Sequence, residues 1–118
     1  MTTAEATMSV RTINERASII DIAGDVTSSA ESMLMEAYQQ ANSDKTDAII
    51  LNFSNLDYLN SSGIGLLVTL LIRVQRNKQR LYSFGLNAHY QQIFELTRLN
   101  EAISIFENEQ AALAAVDA

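Results

Sequence analysis

The sequence predicts an α/β domain: a mixed sheet of four or five strands with helices packed against it. Three observations predict it. Short apolar segments alternate with segments of helical period in the order β-β-α-β-α-β-α-β-α, and strands separated by helices pair in parallel through right-handed crossovers. The segment Asp47 to Phe53, "DAIILNF", is apolar without alternation, as a central strand covered on both faces must be. The 118 residues, 47% hydrophobic and 19% charged, suffice for one substantial core, so residues 1–118 read as a single domain. The chain has no Pro, which fits short connections between regular elements.

The elements follow in order. Residues 1–7 read as a flexible N-terminus. "MSVRTI" at 8–13 alternates like a half-buried strand, Asn14-Glu15-Arg16 reads as a turn, and Ala17 to Ala23 as the returning strand of an antiparallel hairpin. Gly24-Asp25-Val26 leads to a first helix, for which Ser28 and Glu31 have the spacing of a capping box. Ala30, Met33, Leu34, Ala37, Tyr38 and Ala41 form its apolar stripe. After the central strand comes a loop, "SNLDYLN", and then a helix over 62–77 that is apolar on most of its circumference. Leu81 to Leu86 reads as a strand with Gly85 and Asn87 at its exit. Tyr90, Ile93, Phe94 and Thr97 place a third helix on the core. Ile103 to Phe106 reads as an edge strand and Glu109 to Val116 as an Ala-rich helix. In such sheets functional loops lie beyond the carboxyl ends of the strands. Here those surround Asp25, Asn55 to Ser61, and Leu86 to His89.

Several chemistries are poorly supported. A net charge of −6 speaks against nucleic acid as the main partner, because phosphate binding needs a basic surface. The chain has no Cys and one His, so no thiolate nucleophile exists, and a hydroxyl triad could be built only on His89. No phosphate-cradling Gly-Lys-Ser/Thr loop or metal-ligand spacing occurs, so neither a cofactor nor a metal is expected. "MTTAEATMSV" lacks the basic and apolar regions of a secretory signal, and the apolar run from Ile64 to Ile72 is about half a membrane span. A cytoplasmic protein without stable membrane association is expected. The basic run Arg73, Arg76, Lys78 and Arg80 reads as a solvated helix end favoured by the macrodipole.

What remains is "LNSSGIGLL" at 59–67. It concentrates two of the four glycines directly after two serines at a helix start. A hydroxyl of Ser61 or Ser62 can cap the helix by accepting a free N–H of the first turn, or it can be presented to a partner. The residues alone leave both open.

In this context the sequence resembles the anti-sigma-factor antagonists, bacterial members of the STAS domain family. Their pattern is a strand, a loop, then Asp-Ser-Ser/Thr-Gly-x-Gly entering a helix. "YLNSSGIGLL" is similar to it, and "IAGDV" at 22–26 looks like the Gly-Asp/Glu-Val/Leu after their second strand. The likeness runs from about Met8 to Val116. It implies that Ser61 is phosphorylated by a partner kinase that is also an anti-sigma factor, that the unphosphorylated form binds this kinase, and that a serine phosphatase resets the cycle. Asp25, Asn60, Ser61, Ser62, Gly63 and Gly65 would line or shape the docking face. Asn60 stands where the family usually has Asp, and Asn52 where Asp is common; Asn also serves well near a helix cap.

The expected function is therefore a binding switch and not an enzyme. Its alternative is a STAS module that is never phosphorylated and serves as a scaffold or subunit of a signalling or transport assembly. A small nucleotide hydrolase has little support without a base, metal set or phosphate loop. Self-association into a homodimer is left open.

Overall fold

A computed structural model describes residues 5–117. Strands β1 (Thr7–Asn14) and β2 (Ala17–Val26) form the antiparallel hairpin. They are followed by α1 (Glu31–Ala41), β3 (Ala48–Leu59), α2 (Ser61–Arg76), β4 (Arg80–Phe84), α3 (Ala88–Leu96), β5 (Ile103–Phe106) and α4 (Glu109–Val116). The five strands lie in the order β1-β2-β3-β4-β5, and β2 through β5 are parallel. The expected mixed sheet is thus observed.

Strand alternation sorts the core into two layers. Ile49, Leu51 and Phe53 of β3 face α1, α2 and α3, where they meet Leu34, Leu67, Leu70 and Phe94. Ala48 and Ile50 face the other way, with Ile19, Tyr82 and Phe84, and are covered by Ala112 and Val116 of α4. Side chains that alternate sides of a strand covered on both faces must both be apolar, which is why "AIIL" carries no polar partner. Ile49, Ile50 and Leu51 are fully buried.

The structure departs from the sequence reading at several places. Of residues 1–7, the first four lie outside the described residues; Ala6 is buried, and Glu5 bridges to Asp25. The expected loop "SNLDYLN" is largely strand: β3 continues through Leu59, with Asn55 beside Ala23, Tyr58 beside Asp25 and Leu59 beside Val26. Pairing needs only backbone groups, so a polar stretch extends a strand when a neighbour lies alongside. The register shifts after Asn52 and again between Gly24 and Asp25. For the same reason Asp25 lies within β2 and not on a loop.

The Ser28–Glu31 capping box does not form. Ser28–Ala30 makes a 3-10 turn, α1 starts only at Glu31, and no side chain caps either element. The Thr27 hydroxyl pairs with that of Ser29 instead, at 3.0 Å. Met33 is exposed, so the α1 stripe is narrower than its period suggested. Thr97 also faces solvent; its hydroxyl donates to the Ile93 carbonyl at the end of α3. Helix α2 buries Leu66, Leu67, Leu70, Leu71 and Val74 but leaves Val68 and Ile72 exposed.

Candidate functional site

The carboxyl ends of the interior strands β2 and β3 and the start of α2 meet at one end of the sheet. The Asn60 N–H reaches the Val26 carbonyl at 3.4 Å, and the Tyr90 hydroxyl of α3 accepts the Leu59 N–H at 2.9 Å. These contacts hold the chain extended up to Asn60 (φ −94°, ψ −178°), where the helix begins.

Asn60 is the cap. Its Oδ1 accepts the Gly63 N–H at 2.8 Å, and its carbonyl accepts the Ile64 N–H at 2.9 Å. The expectation that a serine could cap α2 is therefore corrected. A cap residue must be extended so that its oxygen reaches back to the third helical residue, and Ser61 and Ser62 already lie inside the helix. Both serines are exposed, and neither hydroxyl makes a hydrogen bond among the described residues. The Ser61 hydroxyl stands at the positive end of a 16-residue helix whose first turn carries no acid.

The two glycines do different things. A Cβ on Gly63 would lie 2.3 Å from the Val26 carbonyl oxygen and 2.7 Å from Leu59 Cδ1. Only a bare Cα lets α2 approach the end of β2 so closely. A Cβ on Gly65 would meet nothing within 4 Å. No packing inside the chain requires a glycine there. Its effect is on the surface, where it leaves a flat, bare stretch of helix four residues after Ser61.

Asp25 lies one residue before Val26, and its carboxylate is hydrogen-bonded to nothing among the described residues. His89 stacks edge-on against Tyr90 with ring centroids 4.9 Å apart and is exposed. No group of three or more His, Asp or Glu side chains is placed to hold a metal among the described residues. Nor is any helix there long and apolar enough to cross a membrane.

The model of the STAS domain family matches residues 9–112. The chain belongs to that family. It is 30% identical over 77 residues to an anti-sigma-B factor antagonist of Staphylococcus aureus, covering 65% of this chain and 71% of that one. A Staphylococcus epidermidis protein of the same name is 28% identical over 65 residues, covering 55% and 60%. Among solved structures, an anti-sigma factor antagonist from Mycobacterium paratuberculosis superposes with a TM-score of 0.80 at 18% identity, over 97% of this chain and 96% of that one. The anti-sigma factor antagonist SpoIIAA in its unphosphorylated form superposes with a TM-score of 0.72 at 17% identity, over 94% and 96%. The phosphorylated form of SpoIIAA, from Bacillus, gives 0.68 at 18%, over 93% and 99%.

In this STAS domain the Asn at position 52 has a local physical role. Its Nδ2 donates to Asp21 Oδ1 at 2.7 Å, and its Oδ1 accepts the Ser54 N–H at 3.0 Å at the register shift of β3. A carboxylate there would lose the donor and face the Asp21 charge. Asp21 is held below the usual carboxylate range by its hydrogen bonds from Arg11, with the Asn52 amide adding to the effect and partial burial opposing it. Arg11 grips it with two nitrogens at 2.6 and 2.8 Å and reaches Glu109 at 2.7 Å.

The sequence reading missed Tyr90 as a site residue. It appeared only as an apolar position at helical spacing, whereas its hydroxyl fixes the strand end that presents Asn60. It also missed Tyr58, which is 47% exposed at the end of β3 beside Asp25. Placing Tyr58 required knowing that "SNLDYL" is strand.

Proposed function

We propose that this STAS domain is an anti-sigma-factor antagonist whose partner is an anti-sigma factor that is also its serine kinase, and that phosphorylation of Ser61 releases that partner. The domain then works by binding, without turnover of its own, in the cytoplasm. A serine phosphatase returns it to the binding form. Asp25, Asn60, Ser61, Ser62, Gly63 and Gly65 make up the docking face. The names of the staphylococcal relatives support the partner class, and the existence of SpoIIAA in both phosphorylated and unphosphorylated forms supports the switch.

One observation carries the reading: Asn60 satisfies the Gly63 N–H, so the Ser61 hydroxyl is not needed to start its own helix. It is free to accept a phosphoryl group without loss of a structural bond. A phosphoserine adds about −1.5 to −2 charges. At the positive end of α2 that charge is favoured by roughly 0.3–1 kcal/mol, so the fold tolerates it. A partner surface shaped for a neutral hydroxyl does not tolerate it, since like or desolvated charge across an interface costs several kcal/mol. At about 1.4 kcal/mol per tenfold, the complex weakens by two orders of magnitude or more.

The test is a titration of unphosphorylated, phosphorylated and Ser61→Ala protein against the candidate anti-sigma kinase, with intact mass and site mapping for phosphate. Ser61→Ala should bind persistently and take up no phosphate. Equal affinity for the phosphorylated and unphosphorylated forms, both folded, would reject the switch and leave the unmodified scaffold as the better account.

A further inference from the structure

The cations of the chain divide into two sets. Arg11, Arg16, Lys45 and Arg98 each pair with a carboxylate. Arg73, Arg76, Lys78 and Arg80 pair with none among the described residues, in a chain of net charge −6. All four are exposed and follow one another where α2 ends and β4 begins. The macrodipole favours Arg73 and Arg76, which lie in the last turn of α2, but Lys78 and Arg80 lie beyond it. Lys78 has φ 58°, in the left-handed region where a helix exit most often takes glycine. Arg98 is the other such residue among those described, and Glu101 holds it. No acid holds Lys78.

Arg80 is fixed by neutral groups. Its guanidinium donates to the Tyr82 hydroxyl at 2.8 Å and the Val116 carbonyl at 2.9 Å, and it lies over the Tyr82 ring. These acceptors orient the cation without cancelling its charge. Beside it opens a cleft of about 280 Å³, lined by Arg80 and Tyr82, by the apolar Leu71 and Leu81, and by the polar Gln75 and Ser104.

We propose that this end of the domain is a second docking surface and that it takes an acidic segment of a protein partner. Carboxylates lie against Arg76, Lys78 and Arg80, and one aliphatic side chain enters the cleft. Charge complementarity selects the occupant, as in the recognition of acidic motifs by arginine clusters. Cations strung along a chain match carboxylates strung along an extended segment, whereas a single small anion needs donors that converge on one point. The cleft is below the roughly 300–1,000 Å³ of a small-molecule site, and suits one side chain. An anionic membrane is a plane, and would also press against Asp44, which shares a neighbouring hollow with Asn77 and Gln79. The rest of the chain sets 14 acids against four cations. A short segment avoids most of them, because exposed charges more than about 8–10 Å away are screened.

This surface is separate from the Ser61 face. The two ends of α2 lie about 22 Å apart at 1.5 Å per residue, well beyond the screening distance. One domain can therefore hold a partner at each end. Neither acid binding nor its test requires the phosphorylation proposed above.

The test is fluorescence anisotropy with a labelled peptide of Glu and Asp flanking one Leu. Wild type should bind it at low salt and release it as salt rises. Arg76→Glu combined with Lys78→Glu should weaken binding at least tenfold, with circular dichroism unchanged. Ser104→Trp, which fills the cleft, should weaken this peptide several-fold and leave a peptide with Ser in place of Leu unaffected. Ser61→Glu should change neither. No binding, or equal binding by the charge-reversed variant, overturns the surface. Equal affinity for the two peptides overturns the role of the cleft, and weakening by Ser61→Glu overturns its separateness. Tighter binding to vesicles of phosphatidylserine and phosphatidylcholine, or full displacement of the peptide by inorganic phosphate at constant ionic strength, overturns the acidic segment in favour of a lipid or a small anion.

Discussion

The substitution of alanine for glycine should have opposite signs at two positions only two residues apart. In a helix interior, alanine is favoured over glycine by roughly 0.8–1 kcal/mol. At Gly65 nothing opposes that gain, because the new methyl would meet no atom within 4 Å. Gly65→Ala should raise stability by about 0.5–1 kcal/mol, or roughly 2–5 °C in Tm for a domain of this size. At Gly63 the same methyl would sit 2.3 Å from the Val26 carbonyl oxygen, far inside contact distance. That oxygen belongs to a strand paired on both sides, so it cannot move cheaply. Overpacking of this kind costs about 1–3 kcal/mol or more, and backbone atoms place this case at the upper end. After subtraction of the helical gain, Gly63→Ala should lose about 2 kcal/mol, near 8 °C in Tm. Urea unfolding with an unchanged m-value, alongside thermal melts, measures both. A neutral or stabilising Gly63→Ala would refute the close approach of α2 to β2. A destabilising Gly65→Ala would refute the claim that no packing inside the chain needs that glycine. In the partner titration the order should differ: if α2 carries the proposed docking face, Gly65→Ala, although more stable, should bind less tightly because a methyl roughens it.

Three further outcomes are expected. Asn60→Ala should cost about 1 kcal/mol by stranding the Gly63 N–H, while Asn60→Asp should keep the cap and gain a few tenths from the dipole, both read by urea unfolding. Asp21 has a folded pKa below its unfolded value, so its contribution is fully present above about pH 4 and is lost as pH falls through the lower folded value. Acid unfolding of Asp21→Asn should therefore show a shallower dependence on pH in that acidic window than wild type. Leu70→Ala removes a fully buried side chain between α2 and the sheet and should cost about 2–5 kcal/mol in the same unfolding assay.

Much of this fold is legible in the sequence because its strong signals are local. The apolar run of β3, the hairpin turn at Asn14 to Arg16, and the helical stripes through Leu34, Leu67 and Phe94 each follow from the period that burial imposes. The Ser-Ser-Gly-x-Gly segment could be placed at the head of α2 because glycines and hydroxyls cluster where helices start. Which residue caps that helix was not legible. Asn60, Ser61 and Ser62 all have the chemistry, and the choice depends on where the chain stops being extended. Tertiary contacts decide that: Tyr90 from α3 holds Leu59 at the strand end and Val26 from β2 holds Asn60 extended beyond it, so the first helical residue is Ser61. The strand character of Ser54 to Leu59 escaped for a related reason, since the backbone partners that make it a strand lie some thirty residues earlier in β2. The glycines divide in the same way. Their presence in the motif is sequence, but that Gly63 answers a carbonyl 2.3 Å from its would-be Cβ while Gly65 answers nothing is a fact of packing alone. A sequence records which side chains a position tolerates. Only the folded chain sets the distance to the neighbour that tolerance must accommodate.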